Sequence, residues 1–177
     1  MIFIRKITLI VIITCFASCG SHNSMENFYA AHKNDNQVSA VRVPQFMLSL
    51  LSGISPETEA LIGNTKDLRY IKFPSTTADK TDFLNTQMNI IAGSKFIEIY
   101  RKNDGLKRNV IAVRERKNVV KEILIYNNNT QQATFLYFNG NFDPIRVREM
   151  AQKAKFEELT NGLIQQFNIE SSTIRYE

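Results

Sequence analysis

Residues that could catalyse a reaction are scarce in this chain of 177 residues, which has two cysteines, two histidines and no tryptophan. Both cysteines, Cys15 and Cys19, lie in the apolar N-terminal stretch, so a thiol nucleophile or a redox pair is not expected in the folded domain. His22 follows Cys19 closely, and His32 ends the first helical pattern, where we expect a solvated surface histidine rather than a member of a catalytic triad. The sequence contains no nucleophile elbow, dinucleotide-binding motif, phosphate-binding loop or zinc-protease motif. We expect no cofactor and no metal.

Pairs of carboxylates are the remaining candidates for catalysis. Two acids that face one cleft ~5 to 9 Å apart can hydrolyse glycosides. The candidate pairs are Glu57 with Glu59, Asp79 with Asp82, and Glu157 with Glu158. The first two pairs fall in the first turns of predicted helices, where negative charge offsets the helix dipole, and the third consists of neighbours that point in different directions. A carboxylate-dependent hydrolase therefore stays as the alternative to a non-catalytic protein.

Residues 1–18 have the parts of a secretory signal. The cationic pair Arg5-Lys6 precedes the apolar run Ile7–Ile13, which is too short to span a bilayer because a spanning helix needs ~20 apolar residues. The segment Phe16-Ala17-Ser18-Cys19 then resembles a bacterial lipoprotein box, in which a signal peptidase cuts before a cysteine that receives the lipid. An ordinary cleaved signal is the alternative to lipidation.

Lipidation at Cys19 predicts a protein that is tethered to the cell envelope. Cys15 is the weaker candidate, because bulkier residues precede it. Lipoproteins of this type carry two or three acyl chains, which hold a protein on a membrane where one chain holds it only marginally. Residues 19–24 form the tether and contain no acidic residue, whereas an inner-membrane retention signal usually has Asp after the cysteine. We therefore expect the outer membrane, with the domain facing the periplasm.

Helical spacing alternates with short strands in the first part of the mature chain and resumes at its end. Helices are predicted at 24–33, 44–53, 56–63, 79–92, 144–155 and 156–167, the fifth of them with Asp143 as its N-cap and Pro144 at its first position. The side chains expected to point into the core from these helices include Phe46, Met47, Leu50, Leu51, Leu84, Met88, Ile91, Ile145, Val147, Met150 and Ala154. Strands are predicted at 38–43 and Leu68–Phe73. Residues 25–167 are expected to form one domain, followed by a frayed tail at 168–177.

From residue 95 the apolar period changes from helical to two. Strands are predicted at Phe96–Arg101, Asn109–Arg116, Val119–Tyr126 and Ala133–Asn139. Short turns connect these strands, at Asn103-Asp104-Gly105, Lys117-Asn118 and Asn127-Asn128-Asn129. Because a parallel return needs a dozen or more residues, the strands must be antiparallel. The predicted fold class is α+β: an antiparallel sheet that includes a four-stranded C-terminal meander, with helices packed on one face.

Positive charge is concentrated in residues 95–121, which carry nine lysines and arginines against three acidic residues. The candidate patch for an anionic partner is Arg101, Lys102, Lys107, Arg108, Arg114, Arg116, Lys117 and Lys121. An anionic lipid, a glycan or an envelope protein are the partners left open, since each basic group near a charged bilayer contributes ~1 kcal/mol. Nucleic acid is not expected, because stacking aromatics are not interleaved with these residues. The alternative is that the charges protect sheet edges from aggregation.

Four segments carry a resemblance to a known family: Phe28-Tyr29, Val38–Pro44, Leu68–Phe73, and Thr134–Met150 with its Gly140-Asn141-Phe142-Asp143. In these segments, and over most of residues 25–155, the chain resembles the small bacterial lipoproteins of domain of unknown function 4252. The resemblance implies a fold and an envelope location, and no site residues. We therefore expect a non-catalytic binding or sensing module. A hydrolase of envelope polymers and a stress-linked accessory lipoprotein are the alternatives.

Overall fold

The computed structural model describes residues 24–49, 56–74, 77–93 and 95–166. The helices are α1 (Met25–His32), α2 (Gln45–Leu48), α3 (Pro56–Gly63), α4 (Ala78–Ala92), α5 (Pro144–Gln152) and α6 (Lys155–Gln166). The strands are β1 (Ser39–Val43), β2 (Thr65–Pro74), β3 (Ile97–Asp104), β4 (Lys107–Arg116), β5 (Val119–Asn128) and β6 (Gln132–Phe142). The predicted signal, Cys19 with the tether before Ser24, Leu50, Leu51 and the predicted tail lie outside the described residues.

The strands form one six-stranded antiparallel sheet in the order β1-β2-β6-β5-β4-β3. This order confirms the α+β class and the C-terminal meander, because β3 to β6 are neighbours in sequence and in space. Lys117 and Asn118 connect β4 to β5 with φ angles of 51° and 58°, the positive values that a two-residue hairpin turn of type I′ requires. The edges of the sheet are β1 and β3.

Helices cover both faces of the sheet, so the prediction of helices on one face is wrong. We call the face under α2, α3, α5 and α6 the first face, and the face under α1 and α4 the second face. The reason lies in the central strands, where consecutive residues such as Val110 to Val113 are all buried. Continuous apolar runs of this kind are typical of strands that are covered on both sides.

On the second face, α1 and α4 pack over a cluster of aromatic rings. The Phe28 ring of α1 lies 4.7 Å from the Phe135 ring and 5.9 Å from the Phe73 ring, measured between centroids. The predicted stripe of α4 is confirmed, because Leu84, Met88 and Ile91 are buried.

His32 is half-buried rather than solvated, so its interpretation as an open surface residue is wrong. Its ring lies 4.6 Å from the Phe28 ring and 5.4 Å from the Phe73 ring. Its Nδ1 atom lies 2.6 Å from a carboxylate oxygen of Asp35. The last turn of α1 therefore continues the aromatic cluster, because helix α1 stays on the sheet to its end.

On the first face, α5 buries Val147, Met150 and Ala151, whereas Ile145 is 67% exposed, against the prediction. Two positions advance a helix by ~200°, so Ile145 and Val147 cannot share one face. Ala154 is also exposed, because it separates α5 from α6 with a φ of 54° instead of continuing the helix.

In the described part of the second predicted helix, α2 comprises four residues with Pro44 at its N-cap, and residues 50–53 lie outside the described ranges. Leu48 is buried and Met47 packs against the first-face core. Phe46 is 72% exposed, so its predicted inward orientation is wrong. A single turn presents only one side to the sheet, and Leu48 takes that side.

Gly140 joins β6 to the turn between α3 and β2. A Cβ atom at this position would overlap the carbonyl oxygen of Asn64. The next residue fixes the same junction, since the Asn141 N–H donates to the Asn64 carbonyl at 3.1 Å. Asp143 then caps α5, as predicted, by accepting from the N–H groups of Ile145 and Arg146.

A buried polar network ties α4 to the sheet. The Asn85 side-chain oxygen accepts from the Tyr126 hydroxyl at 2.8 Å, and its amide donates to the Leu106 carbonyl at 3.3 Å. Tyr70, in the first-face core, differs: its hydroxyl is buried and has no hydrogen-bond partner among the described residues. Burial raises the pKa of both Tyr70 and Tyr126 to about 12.

Candidate functional site

A cavity of about 230 Å³ lies between the first face of the sheet and helices α5 and α6. It is at the end of the sheet where the β3–β4 and β5–β6 turns lie. Side-chain amides are unusually frequent in its lining: Asn109, Asn127, Asn129, Gln132, Gln152 and Asn161. We call this site the amide-lined cavity.

The strand register places three of the polar lining groups in one row. Asn109 of β4 is directly opposite Asn127 of β5, and Asn127 is opposite Thr134 of β6. Opposite residues of antiparallel strands have Cβ atoms ~5 Å apart on the same face. The row therefore presents two amides and a hydroxyl side by side on the floor of the cavity.

Two of these amides have unused hydrogen-bonding capacity. In the part of the chain that the structure describes, the side-chain amides of Asn109 and Asn127 have no protein partner, although both residues are half-buried. Asn129 is different, since its side-chain oxygen accepts from the N–H groups of Gln131 and Gln132 and so shapes the turn. Half-buried polar groups usually have partners, so the row is suited to hydrogen bonding with a ligand.

Next to the polar row lies an apolar one. Ile111, Ile125 and Leu136 occupy the following inward positions on the same three strands. The rings of Tyr100 from β3 and Phe156 from α6 also line the cavity. The site thus joins an apolar surface to a group of uncharged donors and acceptors.

Glu157 contributes the single carboxylate among the described lining residues. The structure does not bring the predicted acid pairs together in the cavity, since Glu158 is exposed and does not line it, and Asp79 and Asp82 lie on the exposed side of α4. Glu59 is exposed as well, and the side chain of Glu57 lies outside the described part of the structure.

A second, larger hollow of about 500 Å³ lies between α3 and α5. Its charged lining residues include Arg146, Glu149 and Lys153, which are exposed. Asp143 also lines it, but its carboxylate already accepts from the first N–H groups of α5. The amide-lined cavity is the better candidate, because the side-chain amides of Asn109 and Asn127 are half-buried in the sheet and have no partner among the described residues.

The predicted basic patch is divided between the two ends of β4. One group, which we call the hairpin cluster, surrounds the β3–β4 turn: Arg101, Lys102, Lys107 and Arg108. The other, the turn cluster, surrounds the β4–β5 turn: Arg114, Arg116, Lys117 and Lys121. Strands rise ~3.3 Å per residue, so the ten residues of β4 separate the clusters by about 30 Å.

Half of these basic residues have partners within the domain. Arg101 donates to Glu98 at 2.6 Å, and this hydrogen bond lowers the pKa of the Glu98 carboxyl. Arg114 pairs with Glu122 across two strands. Lys121 donates to the Asn141 side chain, and Arg108 donates to Asn85 and Asn89 of α4.

The remaining basic side chains are exposed. Among the described residues, Lys102, Lys107, Arg116 and Lys117 form no ion pair or side-chain hydrogen bond. Each cluster therefore keeps two available charges. A single anionic surface cannot contact all the predicted patch residues at once unless it spans the length of β4.

Sequence reasoning missed the amide-lined cavity, although it singled out the three asparagines after Tyr126 as a turn. Asn128 and Asn129 do serve the turn, because their side chains accept from backbone N–H groups between 130 and 132. Asn127 instead faces the cavity. Its distance from Asn109 in sequence gave no sign that the two residues are opposite each other.

Within the described ranges, no group of three or more His, Cys, Asp or Glu side chains is placed to hold a metal ion. No helix within those ranges has the length and apolar content needed to cross a membrane.

The fold and the cavity define a small α+β domain built on an open six-stranded antiparallel sheet, with a polar cavity under its C-terminal helices. Residues 29–150 match the model of the family described as a domain of unknown function, DUF4252. The chain belongs to this family, because the match covers more than half of it. No curated protein and no solved structure matches the chain.

Proposed function

We propose that this chain is a lipid-anchored protein of the cell envelope that binds a ligand in the amide-lined cavity without catalysing a reaction. The observation that carries the binding role is the row of Asn109, Asn127 and Thr134 on three adjacent strands. Fixed strands position such groups accurately, as a binding site requires. The anchor itself is supported by the lipoprotein box at Cys19.

The orientation of α1 supports a particular arrangement on the membrane. Glu26 in its first turn lies 3.6 Å from Arg69, whereas its last residue, His32, packs on Phe73. Arg69 is paired with Tyr137, and Phe73 with Ala133 beside the β5–β6 turn. The start of α1 is therefore directed toward the β4–β5 turn, away from the cavity end of the sheet.

A tether that leaves α1 in this direction favours contact between the turn cluster and lipid headgroups. The five residues from Cys19 to Asn23 span at most ~17 Å when extended, so the domain stays near the bilayer. Arg116 and Lys117 would then face the membrane, where each contributes ~1 kcal/mol with anionic lipid. The amide-lined cavity, at the other end of β4, would open toward the periplasm. We propose the outer membrane as the anchoring site.

The anchor is tested by metabolic labelling with an alkyne analogue of palmitate. Cys19→Ala should abolish the label and leave uncut precursor. The control Cys15→Ala should keep the label, because Cys15 belongs to the signal that is removed by the cut before Cys19. Fractionation should place the labelled protein in the outer membrane. Label retained by Cys19→Ala, or a parent protein found unlabelled, would refute the anchor.

The orientation is tested on vesicles that contain phosphatidylglycerol. The double variant Arg116→Glu and Lys117→Glu should lower the retention of protein that carries a single acyl chain at Cys19, because one chain alone holds a protein only marginally. The matched control Lys102→Glu and Lys107→Glu carries the same charge change at the hairpin cluster and should lower retention less. Equal losses would contradict the orientation without affecting the anchor.

The binding role is tested on protein purified from its own envelope. Denaturation should release a small molecule that mass spectrometry detects with the parent protein and not with the double variant Asn109→Ala and Asn127→Ala. The alternatives considered from the sequence, a hydrolase of envelope polymers and a stress-linked accessory lipoprotein, gain no supporting observation from the contacts described above.

A further inference from the structure

We infer that the ligand of the amide-lined cavity is a neutral, hydroxyl-rich ring of monosaccharide size. This inference rests on the binding role proposed above and specifies its ligand class. Three features of the cavity lead to it: its size, the chemistry of its polar row beside an apolar row, and its charge.

The size of the cavity favours a single ring. Sites for drug-sized ligands measure ~300–1,000 Å³, and the amide-lined cavity measures about 230 Å³. Helices α5 and α6 close one side of it, and the sheet closes the other. An extended polymer would not fit inside, although the terminal unit of one would.

The polar row matches hydroxyl groups. An asparagine side chain offers two N–H donors and a carbonyl acceptor, and a hydroxyl can both donate and accept. Asn109 and Asn127 are opposite each other, with Cβ atoms ~5 Å apart, so their amides can bind hydroxyls on neighbouring carbons of one ring. Next to Asn127, the Thr134 hydroxyl donates to the Asn127 backbone carbonyl at 3.5 Å and can still accept from a ligand hydroxyl.

The apolar row matches the other side of such a ring. Carbohydrate rings expose C–H groups between their hydroxyls, and these pack against apolar and aromatic side chains. Ile125 and Leu136 lie beside the polar row, and Tyr100 stands at the β3 side of the cavity. A peptide amide would use the asparagines equally well but has no comparable C–H face.

The charge of the lining favours a neutral ligand over an acidic one. No lysine or arginine lines the described cavity, and Glu157 would repel an anion. The nearest cation in the strand register is Lys102, which is opposite Asn109 on the edge strand and does not line the cavity. The lining itself therefore supplies no positive charge to an acidic sugar or a phosphate.

The experiment is an NMR titration of the full-length ¹⁵N-labelled lipoprotein in a detergent that contains no sugar. The probes are the methyl glycosides of glucose, galactose, mannose and N-acetylglucosamine, with glucuronate and triglycine for comparison. At least one neutral glycoside should shift the side-chain NH₂ signals of Asn109 and Asn127, with a dissociation constant in the millimolar range. Glucuronate should bind more weakly than glucose.

Variants locate the binding. Asn109→Ala and Asn127→Ala should each raise the dissociation constant about 3- to 10-fold, the equivalent of one lost hydrogen bond. Asn103→Ala is the matched control, because Asn103 lies on the same hairpin, is exposed, and is paired with Arg108 rather than with a cavity residue. It should leave the constant unchanged.

The outcomes separate this inference from the proposed function. If triglycine shifts the asparagine signals and no glycoside does, the ring is the wrong ligand class, while the cavity remains a binding site. If glucuronate binds more tightly than the neutral glycosides, the site recognises charge and the inference is overturned. If no probe binds, the inference falls. The binding role is refuted separately, by the mass-spectrometry test. It is refuted if the parent protein and the Asn109 and Asn127 double variant release the same small molecules, or none.

Discussion

Replacing Gly140 by alanine tests the junction between β6 and the α3–β2 turn. The added Cβ would overlap the Asn64 carbonyl oxygen and lie 2.7 Å from the Phe142 ring. To restore an ordinary carbon–oxygen contact of ~3.3 Å, the Asn64 carbonyl would have to move by about 1 Å. That movement would break the hydrogen bond from Asn141 N–H to the same oxygen.

The expected loss of stability follows from these two effects. Overpacking in a well-packed region costs ~1–3 kcal/mol, and a lost hydrogen bond costs ~1 kcal/mol. We therefore expect Gly140→Ala to lower the free energy of unfolding by about 2–4 kcal/mol. This prediction opposes the usual effect of the exchange, because alanine in a strand is favoured over glycine by ~0.5–1 kcal/mol on entropic grounds.

The measurement is urea unfolding followed by tyrosine fluorescence and far-ultraviolet circular dichroism, since the chain has no tryptophan. Gly63→Ala is the control, because no atom lies within 4 Å of its added Cβ and α3 ends at this residue. It should be neutral or slightly stabilising. An unfolding free energy for Gly140→Ala equal to or above that of the parent, with an unchanged m-value, would refute the reasoning.

Tyr70→Phe should raise the free energy of unfolding by about 1 kcal/mol, because it removes a buried hydroxyl without a described partner. Tyr126→Phe should lower the free energy of unfolding by about 1–2 kcal/mol, because it removes the hydrogen bond to Asn85. Chemical denaturation of both variants at neutral pH checks these opposite signs. The folded pKa of each tyrosine, about 12, exceeds the ordinary 10.0, so the unfolded state loses the phenolic proton first and the free energy of unfolding falls as the pH rises from 10 toward 12. Between pH 10 and 12, the free energy of unfolding should therefore fall less steeply with pH in each Phe variant than in the parent. Finally, Arg69→Met should destabilise the fold by about 1–3 kcal/mol, because it breaks a buried ion pair with Asp67. Arg42→Met should change the stability by less than about 1 kcal/mol, because the Arg42 side chain is 63% exposed. Thermal unfolding of both variants checks this difference.

Local signals predicted the elements well where one residue type decides the structure. Asp143 before Pro144 predicted the start of α5, and the side chain does cap the helix. The turn-forming pair Lys117-Asn118 predicted the β4–β5 hairpin. The assignment of faces failed where two apolar patterns competed, since residues of β4 such as Ile111 and Ala112 are buried on opposite sides of the sheet.

The amide-lined cavity could not be predicted because it depends on a β-bulge. Counted back from the two-residue turn, Asn109 would pair with Tyr126. The register shifts by one between Arg114 and Glu115, and this shift brings Asn109 opposite Asn127 instead. A one-residue slip exchanges the faces of a strand, so the polar row exists only because of an irregularity that leaves no clear mark in the sequence.

The burial of Phe28 makes α1 a mechanical connection as well as a covering helix. Its ring is fully enclosed between Phe73 and Phe135. A force applied at the start of α1 would therefore act on the aromatic cluster itself. Under tension, α1 would have to separate from the sheet and expose these rings to water, so the resistance of the domain to stretching should depend on Phe28.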